Sequence, residues 1–250
     1  MQTVHSADGT PIAYEAVGTG TPVVLVGGAF NDRNSTAGLG ALLSAEFTAV
    51  SYDRRGRGDS GDTPDYTVDK EIADLAAVLE AVGGGYVYGM SSGGILALLA
   101  AHRGAPITRV AVYEPPFDNV SSEDFATAQA ARAASGRREE AVEAFLRITG
   151  MPDAAIDGMR QGPAWPYLVG LAHTLSYDAR IVAQGAIPDL ADLAVPTLVA
   201  DGAASPPFLR DAAAGLAATL PAATVVTLPE QTHNVDVQVL APELLRFFSA

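Results

Sequence analysis

The segment Gly89-Met90-Ser91-Ser92-Gly93 carries the sharpest chemical signal in the chain. It fits G-x-S-x-G with Ser91 central; Ser92 cannot hold that place, because the residue two before it is Met90. Glycines two before and two after a serine let a strand turn sharply into a helix, and the turn leaves the hydroxyl standing clear at the helix N-terminus. Backbone N–H groups there favour developing negative charge. A serine so placed can attack a carbonyl if a base takes its proton. Four histidines are available. His5 falls in an N-terminal hairpin, His102 at a helix end where a cation suits the dipole, and His173 in an Ala-rich segment. Only His233, in Pro229-Glu230-Gln231-Thr232-His233-Asn234, follows a core strand late in the chain, where the order serine, acid, histidine requires it.

The elements that must position these residues can be read from the hydrophobic pattern. Thr3–Ser6 and Ile12–Val17 flank the turn Ala7-Asp8-Gly9-Thr10 and predict a hairpin. Pro22–Val26, Thr48–Tyr52, Tyr86–Tyr88, Arg109–Tyr113, Pro196–Ala200 and Thr224–Leu228 are short apolar runs that predict strands covered on both faces. Helices are predicted after Thr67, where Val68, Ile72, Leu75, Leu79 and Val82 repeat at helical spacing, over Ser92–His102, around Leu209–Leu220 and over Pro242–Phe248. Strands alternating with helices imply an α/β protein: a mostly parallel central sheet with helices on both faces and its site at the carboxyl ends of the strands. Between Phe117 and Ala194 strand runs vanish; helical stretches such as Glu123–Ala134 and Arg138–Thr149 appear, punctuated by Pro152, Pro163, Pro166 and Pro188. This reads as a small helical cap inserted into one domain that spans residues 1–250.

Composition narrows the function further. The net charge is −14, with Lys70 the single lysine, so neither nucleic acid nor an anionic membrane is an expected partner. The absence of cysteine removes thiolate chemistry and disulfides. No G-x-G-x-x-G follows a strand and no histidine pair has metal-ligand spacing, so no cofactor and no metal are expected. The N-terminal MQTVHSADGT lacks the charged and apolar signature of a signal segment, which makes a cytoplasmic location the expectation. Asp53-Arg54-Arg55-Gly56-Arg57-Gly58 puts three arginines near the site. A structural turn tied by hydrogen bonds is the expected role, and anion binding the alternative.

Taken together, the hairpin, the strand ending in Gly27-Gly28, the turn Ser51–Asp62, the GMSSG elbow, the helical insertion and the late histidine resemble the α/β-hydrolase family from end to end. The resemblance implies Ser91 as nucleophile and His233 as its base. It implies an oxyanion hole made by the backbone N–H of Ser92 and that of Ala29, with Phe30 the other choice. Many relatives place the acid three residues past a glycine after the strand matching Pro196–Ala200; here that residue is Ser205. A second location known in the family is the end of the strand after the elbow helix, which is Glu114 in VAVYEPPF. Glu114 is therefore the expected acid and Asp201 the alternative. The family often opens its oxyanion loop with His-Gly; Gly27 here lacks a side chain to stiffen it. Phe117, Trp165, Tyr167 and Leu168 are expected to line the pocket from the cap, with Phe30 and Met90 below, around a lipophilic small molecule. The expected reaction is hydrolysis of an ester, lactone or thioester through an acyl-enzyme on Ser91. The alternatives are non-hydrolytic chemistry by the same residues (acyl transfer, elimination or cyclisation) and a ligand-binding relative with a degenerate triad.

Overall fold

The β-branched runs pair as their pattern requires. The computed structural model describes residues 1–117, 121–184 and 190–250. In it β3 (Pro22–Val26), β4 (Thr48–Tyr52), β5 (Gly85–Met90), β6 (Ile107–Tyr113), β7 (Thr197–Gly202) and β8 (Ala223–Leu228) run parallel. The hairpin of β1 (Gln2–His5) and β2 (Pro11–Gly18) adds antiparallel to β4, and the sheet order is β1-β2-β4-β3-β5-β6-β7-β8. Side chains alternate between the two faces of a strand. Val24, Val26, Val50, Val87, Val110, Val112 and Val199 accordingly enter one apolar cluster, and Val23, Leu25, Ala49, Tyr88, Ala111 and Leu198 the other.

Helices close both faces. On the first lie α2 (Val68–Ala81), α3 (Ser92–His102) and α9 (Pro207–Thr219); on the second lie α1 (Arg33–Leu43) and α10 (Val237–Ser249). Thr67 caps α2, its hydroxyl accepting from the Lys70 N–H. Helix α3 is buried from Ser92 to Ala101, as its unbroken apolar composition requires. Helix α10 begins at Val237, earlier than its sequence signal, with Pro242 inside it. A proline within a helix costs roughly 3 kcal/mol. Leu240, Leu244 and Phe248, four residues apart on the buried face, offset this with about 1.5–3 kcal/mol each.

Between β6 and β7 come α4 (Glu123–Ala134), α5 (Arg138–Ile148), α6 (Asp153–Arg160), α7 (Trp165–Gly170) and α8 (Leu175–Val182). Val142, Leu146, Ile156, Trp165 and Leu175 give this segment an apolar cluster of its own, and Ala29 and Phe30 from the loop after β3 pack against it. The helices thus sit over the strand ends. Pro188 and parts of the span 117–194 lie outside the described residues.

Candidate active site

Four non-glycine residues among those described adopt positive φ: Phe30 (61°), Ser91 (54°), Glu114 (46°) and Glu230 (60°). Each follows the carboxyl end of a strand: β3, β5, β6 and β8 respectively. Left-handed backbone at such residues costs about 1–3 kcal/mol each and persists where the surroundings over-determine it. The concentration of strain on one edge of the sheet marks that edge as a built site.

At the elbow, Ser91 takes φ 54° and ψ −127° between β5 and α3. Its N–H donates to the Tyr113 carbonyl at 2.9 Å, and its carbonyl accepts from Gly94 and Ile95. The flanking glycines are forced by space. A Cβ on Gly89 would stand 2.5 Å from the Gly93 carbonyl oxygen, and one on Gly93 would stand 2.5 Å from that of Val26. Among the described residues the Ser91 hydroxyl makes no hydrogen bond.

One turn of sheet away, Glu114 is fully buried. Its Oε2 lies 2.7 Å from His233 Nδ1 and its Oε1 accepts from the Gly202 N–H at 2.8 Å. Burial pushes the carboxyl up, but the hydrogen bonds from His233 and Gly202 outweigh it and hold Glu114 below the usual carboxylate range. An ionised carboxylate only accepts, so Nδ1 is the donor, and Nε2 is the nitrogen whose lone pair is available when the ring is neutral. His233 and Ser91 line the same cavity. The alternative acid, Asp201, points elsewhere. Its Oδ2 is 3.9 Å from Arg210 Nε and its Oδ1 has no partner among the described residues. Ser205 is buried, its N–H closing a turn onto the Gly202 carbonyl at 3.0 Å.

The loop after β3 is stiffened in a way its glycines do not announce. The space a Cβ would need at Gly27 is taken by the Asn31 side chain, 2.6 Å away. Asn31 Oδ1 accepts from the Gly28 N–H at 2.9 Å. A Cβ on Gly28 would stand 3.0 Å from Ser91 Cβ, so this loop runs directly beside the elbow. Ala29 and Ser92 both border the cavity, and among the described residues neither backbone N–H has an acceptor.

The arginine turn is a structural tie, as expected. Arg54, Arg55 and Arg57 are at most 1% exposed. Arg55 forms a fork onto Asp74 at 2.6 Å through both Nε and Nη2. Arg54 pairs with Glu71 and, at 2.8 Å, with Asp178; Arg57 reaches the other Asp178 oxygen at 2.7 Å.

The cavity over Ser91 has a volume of about 600 Å³. Phe30 and Met90 border it, whereas Phe117, Trp165, Tyr167 and Leu168 are not among its lining residues. Phe117 is buried against the sheet cluster and Trp165 inside the α4–α8 cluster, with Leu168 packed on it; Tyr167 is exposed. The walls come instead from Phe125 of α4, Phe145 and Leu146 of α5, Val182 of α8 and Phe208 of α9. Among the described residues that line it, none carries an acidic or basic side chain other than His233. Phe145 meets Phe30 edge-on, ring centroids 5.6 Å apart, which joins the helices to the loop after β3.

Sequence comparison gives the class. The profile described as "Alpha/beta hydrolase family" matches residues 23–245. A crystal structure of an alpha/beta hydrolase from Sphaerobacter thermophilus DSM 20745 is 50% identical, covers 99% of this chain and 100% of its own, and superposes with a TM-score of 0.92. The chain belongs to the alpha/beta hydrolase family. The fold is shared more distantly with an esterase from Rhodococcus sp. ECU1013 (23% identity, 100% of this chain and 98% of that one, TM-score 0.74). It is shared as well with a putative non-heme bromoperoxidase from Mycobacterium tuberculosis H37Rv (23% identity, 95% of both chains, TM-score 0.73). Among the described residues no helix is long and apolar enough to cross a membrane.

Proposed function

We propose that this protein is a serine hydrolase that cleaves carboxylic esters, thioesters or lactones of uncharged, apolar acyl groups through an acyl-enzyme on Ser91. The observation that carries the reading is the buried Glu114 carboxylate, 2.7 Å from Nδ1 of His233, a ring that lines the same cavity as the left-handed Ser91. Ser91 Oγ attacks the acyl carbon while His233 Nε2 takes its proton. The carbonyl oxygen becomes an oxyanion between the N–H groups of Ala29 and Ser92. As the tetrahedral centre collapses, the imidazolium returns the proton to the departing alcohol, thiol or ring oxygen. Water then adds to the acyl carbon with His233 as base, and the second collapse restores the Ser91 hydroxyl. Glu114 stays ionised throughout, fixing the ring's tautomer and stabilising its charge.

The substrate class follows from the walls. A charged acyl group would be desolvated in the cavity with no counter-charge other than His233 among the described lining residues, whereas aliphatic or aromatic chains would bury against Phe125, Phe145 and Leu146. The test is labelling with a fluorophosphonate. Covalent modification at Ser91, abolished in Ser91→Ala together with ester turnover, is the expected result; undiminished turnover by Ser91→Ala contradicts the proposal.

A further inference from the structure

Asp178 lies on α8, 86 residues beyond Ser92, yet it is fully buried beneath the elbow. Its Oδ1 accepts from the Ser92 hydroxyl at 2.7 Å and from Arg54 Nη1 at 2.8 Å; its Oδ2 accepts from Arg57 Nη2 at 2.7 Å. The same two guanidinium groups hold the loop after β3 by its carbonyls. Arg54 Nη1 donates to Gly27 at 3.1 Å, and Arg57 Nη1 donates to Gly28 at 2.7 Å and to Asn31 at 3.3 Å.

The consequence follows from peptide geometry. The Gly28 carbonyl and the Ala29 N–H belong to one planar unit, and among the described residues no peptide bond is cis. A carbonyl pulled onto Arg57 therefore turns the Ala29 N–H the opposite way, away from the arginine. Ser92 is fixed by its own hydroxyl. One carboxylate thus ties together the two peptide units whose N–H groups lie free beside Ser91. Asp178 is also the only acidic partner of Arg57 among the described residues. Without it a fully buried cation must find another acceptor, at the expense of the carbonyls it now holds.

We infer that Asp178 is a positioning residue for the oxyanion hole: through Arg57, Arg54 and the Ser92 hydroxyl it orients the Ala29 and Ser92 N–H groups toward the developing charge. The inference rests on the serine-ester reading above. It also explains why α8, whose neighbouring Ala179 and Val182 border the cavity, is fastened to the catalytic floor.

The experiment compares 4-nitrophenyl butanoate with its thiono counterpart, in which sulfur replaces the carbonyl oxygen. Sulfur accepts hydrogen bonds poorly, so oriented N–H donors favour the oxygen ester. Wild-type enzyme that turns over the oxygen ester and is inactivated by a fluorophosphonate satisfies the serine-ester reading separately. Asp178→Asn is then expected to lower kcat on the oxygen ester by roughly ten- to a hundredfold with KM changed by less than about threefold. The loss on the thiono ester should be several times smaller. Equal losses on both esters, or no loss, overturn the inference. If Asp178→Asn does not fold, Ser92→Ala removes only one tether. An oxygen-ester loss of a few fold that exceeds the thiono loss supports the inference, and an equal loss or none overturns it.

Discussion

All the left-handed non-glycine residues among those described, Phe30, Ser91, Glu114 and Glu230, stand at strand ends, and none stands on helices α4–α8 above them. The floor also holds buried charge: three arginines in the turn after β4, answered by Glu71, Asp74 and Asp178. The roof offers the cavity aromatic and aliphatic side chains. Strained backbone and paired charges are costly and rigid, suited to holding donors and a nucleophile within tenths of an ångström. Apolar walls are permissive and grade substrates by size and polarity. Asp178 is the exception, a roof residue wired into the floor.

Substitutions in the two regions should therefore differ in kind. The largest effect is expected from Ser91→Ala, a loss in kcat of about ten-thousandfold or more, read by ester turnover. Glu114→Gln comes next, at roughly a thousandfold or more, because the ring loses its tautomer and its counter-charge. Asp201→Asn, measured beside it, should keep activity within about tenfold; the reverse ranking would place the acid on β7. In the roof, Phe145→Ala should lower kcat/KM by about tenfold for hexanoyl esters while changing acetyl esters little, since the loss is of apolar contact with the chain. A uniform loss across chain lengths would mean that Phe145 acts through the Phe30 contact instead.

The smallest effect is one of pH on stability. Burial raises the Asp178 carboxyl, but Arg57, Arg54 and the Ser92 hydroxyl outweigh it and hold the group below its usual value. The groups around it are those two arginines with Glu71, and Tyr66, whose hydroxyl donates to Glu71 at 2.6 Å. A carboxyl lowered on folding stabilises fully above its unfolded value of about 4 and loses that contribution as pH falls through the folded value. The Tm gap between wild type and Asp178→Asn should then be constant from about pH 7 to 5 and narrow below about 4. A gap that widens on acidification reverses the sign.

Much of this was legible in the sequence for a physical reason: strands buried on both faces must be apolar, and the residues after them must turn. Pro22–Val26 and Thr48–Tyr52 are strands over those very residues, and the strand-end rule led to Ser91 and His233. Glu114 needed the family resemblance as well. Helix α1 gave little signal, because RNSTAGLGALL buries only Leu39, Gly40 and Leu43. The helical part of the lining was not legible, because an aromatic between β6 and β7 is as useful in the core of those helices as over a cavity, and Trp165 and Phe117 pack into cores. Asp178 was illegible. A lone aspartate in LSYDARIV has no local mark of its partners, which lie 86 or more residues away at Ser92, Arg54 and Arg57.

The most direct test of the central claim is a crystal structure after reaction with an alkyl fluorophosphonate. The expected result is phosphorus bonded to Ser91 Oγ, the phosphonyl oxygen within hydrogen-bond distance of the Ala29 and Ser92 N–H groups, His233 held by Glu114, and the alkyl chain against Phe125 and Phe145. Phosphorus on another side chain, or a phosphonyl oxygen turned away from both N–H groups, would contradict it.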